Sequence, residues 1–90
     1  MDEARRVIVT GAVQGVGFRA WARDTAEELG LTGWVRNCPD GTVETHIEGS
    51  GHALSQMMER LNAGPPAGRV DHISAEAAKP LEQDEFEIRG

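Results

Sequence analysis

The hydrophobic and polar positions of the chain follow two different periods, and each period predicts one kind of element. Strict alternation, typical of a half-buried β-strand, is clearest at residues 42–48, where Val43, Thr45 and Ile47 alternate with polar side chains. Similar β-branched or alternating stretches predict strands at residues 5–13, 31–37, 69–77 and 85–89. The Asp40-Gly41 pair is a strong turn signal, so the second and third strands are expected to form a hairpin.

Two other stretches repeat their apolar residues at intervals of three and four, which is the period of an amphipathic helix. The first helix is predicted at residues 18–29 and is followed by Gly30, a residue suited to a left-handed C-terminal cap. The second begins after Ser50, a favourable N-cap, and stops at Gly64 before two prolines. The apolar faces consist of Phe18, Trp21, Ala22, Ala26 and Leu29 in the first helix and of Leu54, Met57, Met58 and Leu61 in the second.

The order of these elements is βαββαβ with a short extra strand at the C-terminus. Two split βαβ units around a hairpin predict a ferredoxin-like α/β sandwich of the α+β class, with an antiparallel sheet and both helices on one face. In this arrangement we expect the first and third strands to be parallel neighbours in the middle of the sheet. The 90 residues leave room for a single domain, spanning residues 1–90.

Composition narrows the class of protein. The single cysteine, Cys38, excludes an internal disulfide, and the charged N-terminal stretch has no apolar signal region. The apolar run at residues 7–9 is far too short for a membrane helix, so we expect a cytoplasmic protein without membrane contact. The net charge of −6 and the scarcity of aromatic residues argue against nucleic-acid binding. Residues 1–37, however, carry five basic and five acidic side chains, which leaves room there for a small anion site.

Candidate chemistry lies in a glycine-rich segment between the first strand and the first helix. Gly11, Gly15 and Gly17 fall within seven residues, where backbone N–H groups and the positive helix end can converge on an anion. Arg19, in the first helical turn, would add a bidentate donor suited to phosphate oxygens. The alternative is a tight turn that needs glycine for positive φ, with Arg19 solvated at the surface.

Two nucleotide-binding motifs fit this segment poorly. Residues 15–20 satisfy a G-x-G-x-x-A pattern, but the next strand ends in Arg36-Asn37 without a ribose-binding acid and then enters a hairpin. The segment also lacks the Gly-Lys-Ser/Thr ending of a P-loop. Asn37 is a second candidate for function, although an asparagine at a strand end often serves only to form a turn.

The remaining reactive side chains have structural interpretations. His46, His52 and His72 lack metal-ligand spacing, and we expect them at the surface or at caps. Cys38 has no histidine at a spacing that indicates a catalytic pair, which favours a plain loop thiol. A solvated face is expected at the acidic residues Glu82, Asp84, Glu85 and Glu87.

Two long motifs of the chain resemble the signatures of the acylphosphatase family. The first is VTGAVQGVGFR at residues 9–19, and the second is GWVRNCPDGTV at residues 33–43, followed by Gly49. Shorter matches at residues 26–31 and 86–88 extend the resemblance over most of the chain, and it is weakest at about residues 67–84. No motif position departs from the family pattern.

The resemblance implies an acylphosphatase, an enzyme that hydrolyses the carboxyl–phosphate anhydride of acyl phosphates to a carboxylate and inorganic phosphate. It implies a small-molecule acyl phosphate as substrate and chemistry without a metal. We also expect a monomer without a cofactor and, from the composition, without nucleic-acid or membrane contact. Carried over by motif position, Arg19 binds the phosphate, Asn37 orients the attacking water, and Thr42 helps to hold Asn37. The backbone amides that bind phosphate are those of Gly15, Val16, Gly17, Phe18 and Arg19. The alternative function is a non-catalytic module that binds acyl phosphate or carbamoyl phosphate.

Overall fold

The computed structural model describes residues 2–90, which form two helices and five strands. The elements are β1 (Glu3–Ala12), α1 (Phe18–Glu28), β2 (Thr32–Asn37), β3 (Val43–Gly49), α2 (Gly51–Ala63), β4 (Arg69–Ala78) and β5 (Phe86–Arg89). Each element predicted from the sequence is present, with bounds that differ by at most two residues. The fold is the predicted ferredoxin-like α+β sandwich.

Both helices are bordered by the capping residues expected of them and cover the same face of the sheet. The Ser50 hydroxyl accepts a hydrogen bond from the Ala53 N–H at 3.1 Å, and Gly30 follows α1 with a φ of 74°. Their apolar sides meet the sheet in one core, whose members include Val7, Val9, Val35, Val43 and Ile47 from the strands and Phe18, Leu54, Met57 and Leu61 from the helices. No helix within residues 2–90 is long and apolar enough to cross a membrane.

The strands lie in the order β4-β1-β3-β2-β5. β1 and β3 are neighbours in the middle, but they run antiparallel, so the expectation that they are parallel is wrong. The reason is that α1 returns the chain to its starting end, and β2 therefore runs in the same direction as β1. β3 is the hairpin partner of β2, so it runs opposite to both and pairs with each of them.

The sheet is mixed because β5 runs parallel to β2, which corrects the expectation of a purely antiparallel sheet. Residues 79–85 cross one end of the sheet from β4 at one edge to β5 at the other. The backbone N–H groups of Leu81 and Glu82 anchor this crossing on the Glu48 carboxylate, at 2.7 and 2.8 Å. As a result β5 ends beside the end of β2, where Arg89 is the register partner of Arg36.

The sheet face without helices is polar, yet its central side chains are buried. His46 is only 4% exposed, and the expectation that it lies at the surface is wrong. Its ring stacks on Trp34 with a centroid distance of 6.2 Å, and its Nε2 lies 3.0 Å from the Glu48 carboxylate. The alternating pattern of β3 predicts which face of the sheet His46 occupies. It does not predict the burial of His46, because the side chains that cover this face come from neighbouring strands. The acidic residues Glu82, Asp84, Glu85 and Glu87 are all exposed, as predicted.

Glu44 is also buried on this face and forms the centre of an ion-pair network. Its carboxylate accepts hydrogen bonds from Arg36, at 2.6 Å, and from Arg6, which also contacts Glu76 at 3.1 Å. Burial by itself raises the pKa of Glu44, but the hydrogen bonds from Arg36 and Arg6 outweigh burial, and the pKa lies below its ordinary value. The carboxylate therefore stays ionised and stabilises the fold near neutral pH.

Candidate active site

The glycine-rich segment forms the turn between β1 and α1. Gly15 and Gly17 have φ values of 74° and 76°, in the left-handed region that residues with a side chain rarely adopt. A Cβ atom at either position would meet nothing within 4 Å, so backbone conformation rather than lack of space requires glycine here. Gly17 is also the N-cap of α1. The same two glycines therefore shape a tight turn and direct it into the start of a helix.

The backbone N–H groups of this turn are available to a ligand. Within residues 2–90, the N–H groups of residues 15–20 donate to no other protein group, and the first to do so is that of Trp21, which donates to the Gly17 carbonyl at 3.0 Å. The first turn of α1 contains no acidic side chain among its described residues. The positive end of the helix is thus directed at solvent with its amides unpaired, which is the arrangement that binds anions.

A cleft of about 240 Å³ brings this turn together with both predicted side chains, Arg19 and Asn37. Arg19 is the second residue of α1, and its Nη1 lies 3.5 Å from the carbonyl oxygen of Arg89, a contact too long to hold the guanidinium firmly. Asn37 is the last residue of β2 and is half-buried. Of the residues expected to bind phosphate, Gly15, Gly17, Phe18 and Arg19 line this cleft together with Asn37. Val16 is not among the lining residues, and its side chain packs against the core instead.

The cleft also has apolar walls, and one of them was not predicted as part of the site. Val13 and Phe18 are buried beneath the turn at 1% and 2% exposure, and Ile88 of β5 completes the lining. Ile88 reaches the cleft because β5 runs parallel to β2 and ends at the same end of the sheet. The local sequence indicates only a short terminal strand, and this long-range pairing decides where its side chains lie.

Thr42 does not support Asn37 through a direct hydrogen bond. Its hydroxyl donates to Asp40 Oδ1 at 2.6 Å and its backbone N–H donates to the same oxygen at 3.0 Å. Hydrogen bonds from the Thr42 side chain and backbone hold the pKa of Asp40 below its usual value. Across residues 2–90 no hydrogen bond joins Thr42 to Asn37, so any support passes through the turn that both residues flank.

Gln14 is a residue of the site region to which sequence reasoning assigned no role. Its Nε2 donates to two backbone carbonyls of the β2–β3 turn, those of Cys38 at 2.8 Å and Thr42 at 2.9 Å. Cys38 takes part through its backbone in these contacts, while its thiol is free and half-buried. The only available signal was the presence of a polar residue within the first motif, immediately before Gly15.

A larger cleft of about 790 Å³ lies at the opposite end of the sheet, around the start of β2 and the end of β3. Its lining includes the carboxylates of Asp2, Glu48 and Glu82, and the lining residues, all of them described, include no Lys, Arg or His. A phosphate-bearing ligand would meet negative charge there. The smaller cleft is therefore the candidate site despite its size.

The fold is that of a small α+β protein, and the smaller cleft combines the start of a helix with a guanidinium, a combination suited to a phosphate-sized anion. Comparison with known proteins identifies the family: the acylphosphatase family model matches residues 5–88. An acylphosphatase of Rhodopseudomonas palustris is 51% identical over 76 residues, which cover 84% of this chain and 77% of the relative.

Solved structures agree with this family model. The acylphosphatase from Coxiella burnetii superimposes with a TM-score of 0.94 at 38% identity, covering 98% of this chain and 93% of the other. The acylphosphatase from Bacillus subtilis gives a TM-score of 0.93 at 40% identity, with both chains covered completely. The chain belongs to the acylphosphatase family.

Proposed function

We propose that this enzyme hydrolyses the anhydride of an acyl phosphate by in-line attack of a water molecule that Asn37 orients. In this proposal Arg19 and the backbone amides of residues 15–19 hold the phosphoryl group. Acylphosphatase activity follows from the family, and the proposal adds the division of roles within the cleft. The observation that supports it most strongly is that one cleft contains the start of α1, the Arg19 guanidinium and the Asn37 amide together.

The phosphate-binding groups suit the transition state of phosphoryl transfer. That state spreads negative charge over the equatorial phosphoryl oxygens, and the protein contributes mainly position and electrostatic stabilisation. The amides of residues 15–19 are fixed by the turn and by the first turn of α1, so they need little reorganisation to meet this charge. The Arg19 guanidinium adds paired donors whose spacing fits two phosphate oxygens.

The leaving group explains why the cleft can work without an acidic side chain. A carboxylic acid has a pKa of about 4, so the carboxylate departs without a proton from the protein. None of the described residues that line the cleft carries a carboxyl or imidazole group. As the bond from the water oxygen to phosphorus forms, the bond from phosphorus to the carboxylate oxygen breaks, and its electron pair stays on the carboxylate.

Asn37 is suited to orient the water rather than to deprotonate it. Its side-chain amide donates and accepts hydrogen bonds but is not a base at neutral pH. The proton of the attacking water therefore passes to solvent or to a phosphate oxygen. Holding the water in line with the bond that breaks lowers the entropy cost of reaction, which makes Asn37 important for turnover and not for phosphate affinity.

The activity itself is tested with purified protein and acetyl phosphate or benzoyl phosphate in the presence of EDTA. We expect release of inorganic phosphate above the rate of a heat-inactivated sample. Binding of the acyl phosphate, displaced by inorganic phosphate but without any hydrolysis, would instead support the alternative of a non-catalytic acyl-phosphate-binding module.

The role of Asn37 is tested by Asn37→Ala. We expect kcat to fall by about 100-fold, the size of loss that misplacement of a reacting group causes, while inorganic phosphate competes as well as before. Asn62→Ala is a matched control, because Asn62 is an exposed asparagine of α2 that donates only locally, to the Met58 carbonyl. An equal loss of phosphate competition and of kcat in Asn37→Ala would contradict the assigned role.

A further inference from the structure

We propose that Gln14 is a positioning residue for the hydrolytic step. Its side-chain amide fixes the β2–β3 turn against the phosphate-binding turn and thereby keeps Asn37 in place over the bound phosphoryl group. This inference rests on the role proposed above for Asn37, and it assigns a specific task to a side chain that touches neither substrate nor reacting atoms.

The geometry of the Gln14 contacts is that of two ordinary hydrogen bonds from one nitrogen. Nε2 lies 2.8 Å from the Cys38 carbonyl oxygen and 2.9 Å from the Thr42 carbonyl oxygen. Both partners are acceptors only, so the amide nitrogen, and not the amide oxygen, must face them. Both hydrogens of the Gln14 amide are therefore used on the two carbonyls that flank residues 39–41.

The turn does not need Gln14 to acquire its shape. The Cys38 N–H donates to the Thr42 carbonyl at 2.9 Å, and the Gly41 N–H donates to the Cys38 carbonyl at 3.1 Å. Each carbonyl that Gln14 contacts thus already accepts one hydrogen bond from within the turn. What Gln14 adds is the placement of the finished turn relative to the end of β1.

Sheet pairing provides only part of this placement, because it holds Asn37 opposite Val43 but includes no residue of the turn at residues 38–42. The antiparallel register between β1 and β3 ends at Val9 and Val43, and the last residues of β1 pair only with β4. Gln14 immediately precedes Gly15, where the phosphate-binding amides begin, while its partner Cys38 immediately follows Asn37. One side chain therefore links the backbone next to the phosphate site with the backbone next to the water-orienting residue.

Gln14 lies at an exposed position, so water competes for its hydrogen bonds and its contribution to stability is small. The position of a catalytic group is far more sensitive, since a displacement of about 1 Å can cost 100-fold in rate. A residue with these properties is expected to affect kcat much more than folding or phosphate binding.

The experiment compares Gln14→Ala and Gln14→Met with the wild-type enzyme. The Met variant keeps roughly the length of the side chain but has no hydrogen-bond donor, and it adds no charge beside the phosphate-binding turn. We expect kcat to fall about 10- to 100-fold in both, with phosphate competition unchanged within about 2-fold and Tm lowered by less than about 5 °C. Gln56→Ala, at an exposed glutamine of α2, is the matched control and is expected to behave as wild type.

A double-mutant cycle with Asn37→Ala tests whether Gln14 acts through Asn37. In the Asn37→Ala background, Gln14→Ala should lower kcat by less than about a further 2-fold, because the side chain that Gln14 positions is already absent. If Asn37→Ala lowers kcat but both Gln14 variants have the wild-type kcat, the Gln14 inference is wrong and the role of Asn37 stands. If Asn37→Ala has no effect on kcat, both fail. Weakened phosphate competition in the Gln14 variants, or their unfolding at the assay temperature, would equally overturn a positioning role.

Discussion

Arginine side chains at two places in the molecule have opposite surroundings. On the helix-free face, Arg36 and Arg6 both donate to the buried Glu44 carboxylate, with Arg36 at 2.6 Å. In the cleft, Arg19 contacts a backbone carbonyl at 3.5 Å, beside helix amides that have no protein acceptor within residues 2–90. A guanidinium matched by a buried carboxylate stabilises the fold, whereas one next to unpaired donors is available to bind an anion. The net charge of −6 does not distinguish these two kinds of arginine, because the role of each guanidinium depends on the few groups nearest to it.

The largest effect is expected from Arg19→Gln. Removing the guanidinium should lower turnover by at least about 1,000-fold, the size of effect that an arginine on a transferred phosphoryl group supplies, and should abolish competition by phosphate. Arg23→Gln is the matched control on the same helix, because Arg23 pairs with the adjacent Asp24 at 3.1 Å. The comparison of the two regions fails if Arg19→Gln costs no more activity than Arg23→Gln, or if it unfolds the protein.

A smaller effect, on stability rather than activity, is expected from Glu44→Gln. The substitution leaves two guanidinium groups facing a buried neutral amide, which should lower the free energy of unfolding by about 1 to 3 kcal/mol. Chemical denaturation measures this change. Glu76→Gln is the control, since the Glu76 side chain is 67% exposed and contacts the same Arg6. Equal stability of the two variants would mean that the buried position of Glu44 has no energetic consequence.

The pH dependence of stability gives the smallest effect. Burial raises the pKa of both Glu44 and Glu48, but hydrogen bonds from Arg36 and Arg6, and from His46 and two backbone amides, outweigh it, so each pKa lies below its ordinary value. A lowered carboxyl pKa stabilises the fold above the unfolded pKa, and this contribution is lost as the pH falls through the folded value.

Stability should therefore decline below about pH 5, and the decline should be shallower in Glu44→Gln, which lacks one of these carboxyls. Thermal unfolding between pH 7 and pH 3 gives the pH dependence of stability for the wild type and for Glu44→Gln. If Tm falls equally with pH in the wild type and in Glu44→Gln, Glu44 does not contribute to the acid sensitivity of the fold.

The sequence predicts the elements and most of the site because their signals are local. Gly15 and Gly17 adopt positive φ, Ser50 caps α2, and the Asp40-Gly41 pair lies in the β2–β3 turn, each as its residue type indicates. Arg19 and Asn37 line one cleft, which local signals did not indicate but the resemblance to the acylphosphatase signatures implied.

What the sequence did not predict depends on contacts between distant segments. The direction of β5 follows from a crossing anchored on Glu48, and it places Ile88 in the cleft. The burial of His46 depends on Trp34, which lies opposite it in the β2–β3 register. The hydrogen bonds of Gln14 reach two residues that lie 24 and 28 positions further along the chain, a separation that no local period encodes.

The central claim is that Arg19 and the amides of residues 15–19 hold the phosphate while Asn37 acts only on water. Titration of ¹⁵N-labelled protein with inorganic phosphate, followed by amide chemical shifts, tests it directly. We predict shifts centred on residues 15–19 in the wild type and in Asn37→Ala, and none in Arg19→Gln. Shifts centred on the acidic cleft around Glu48, or their loss in Asn37→Ala, would contradict the account.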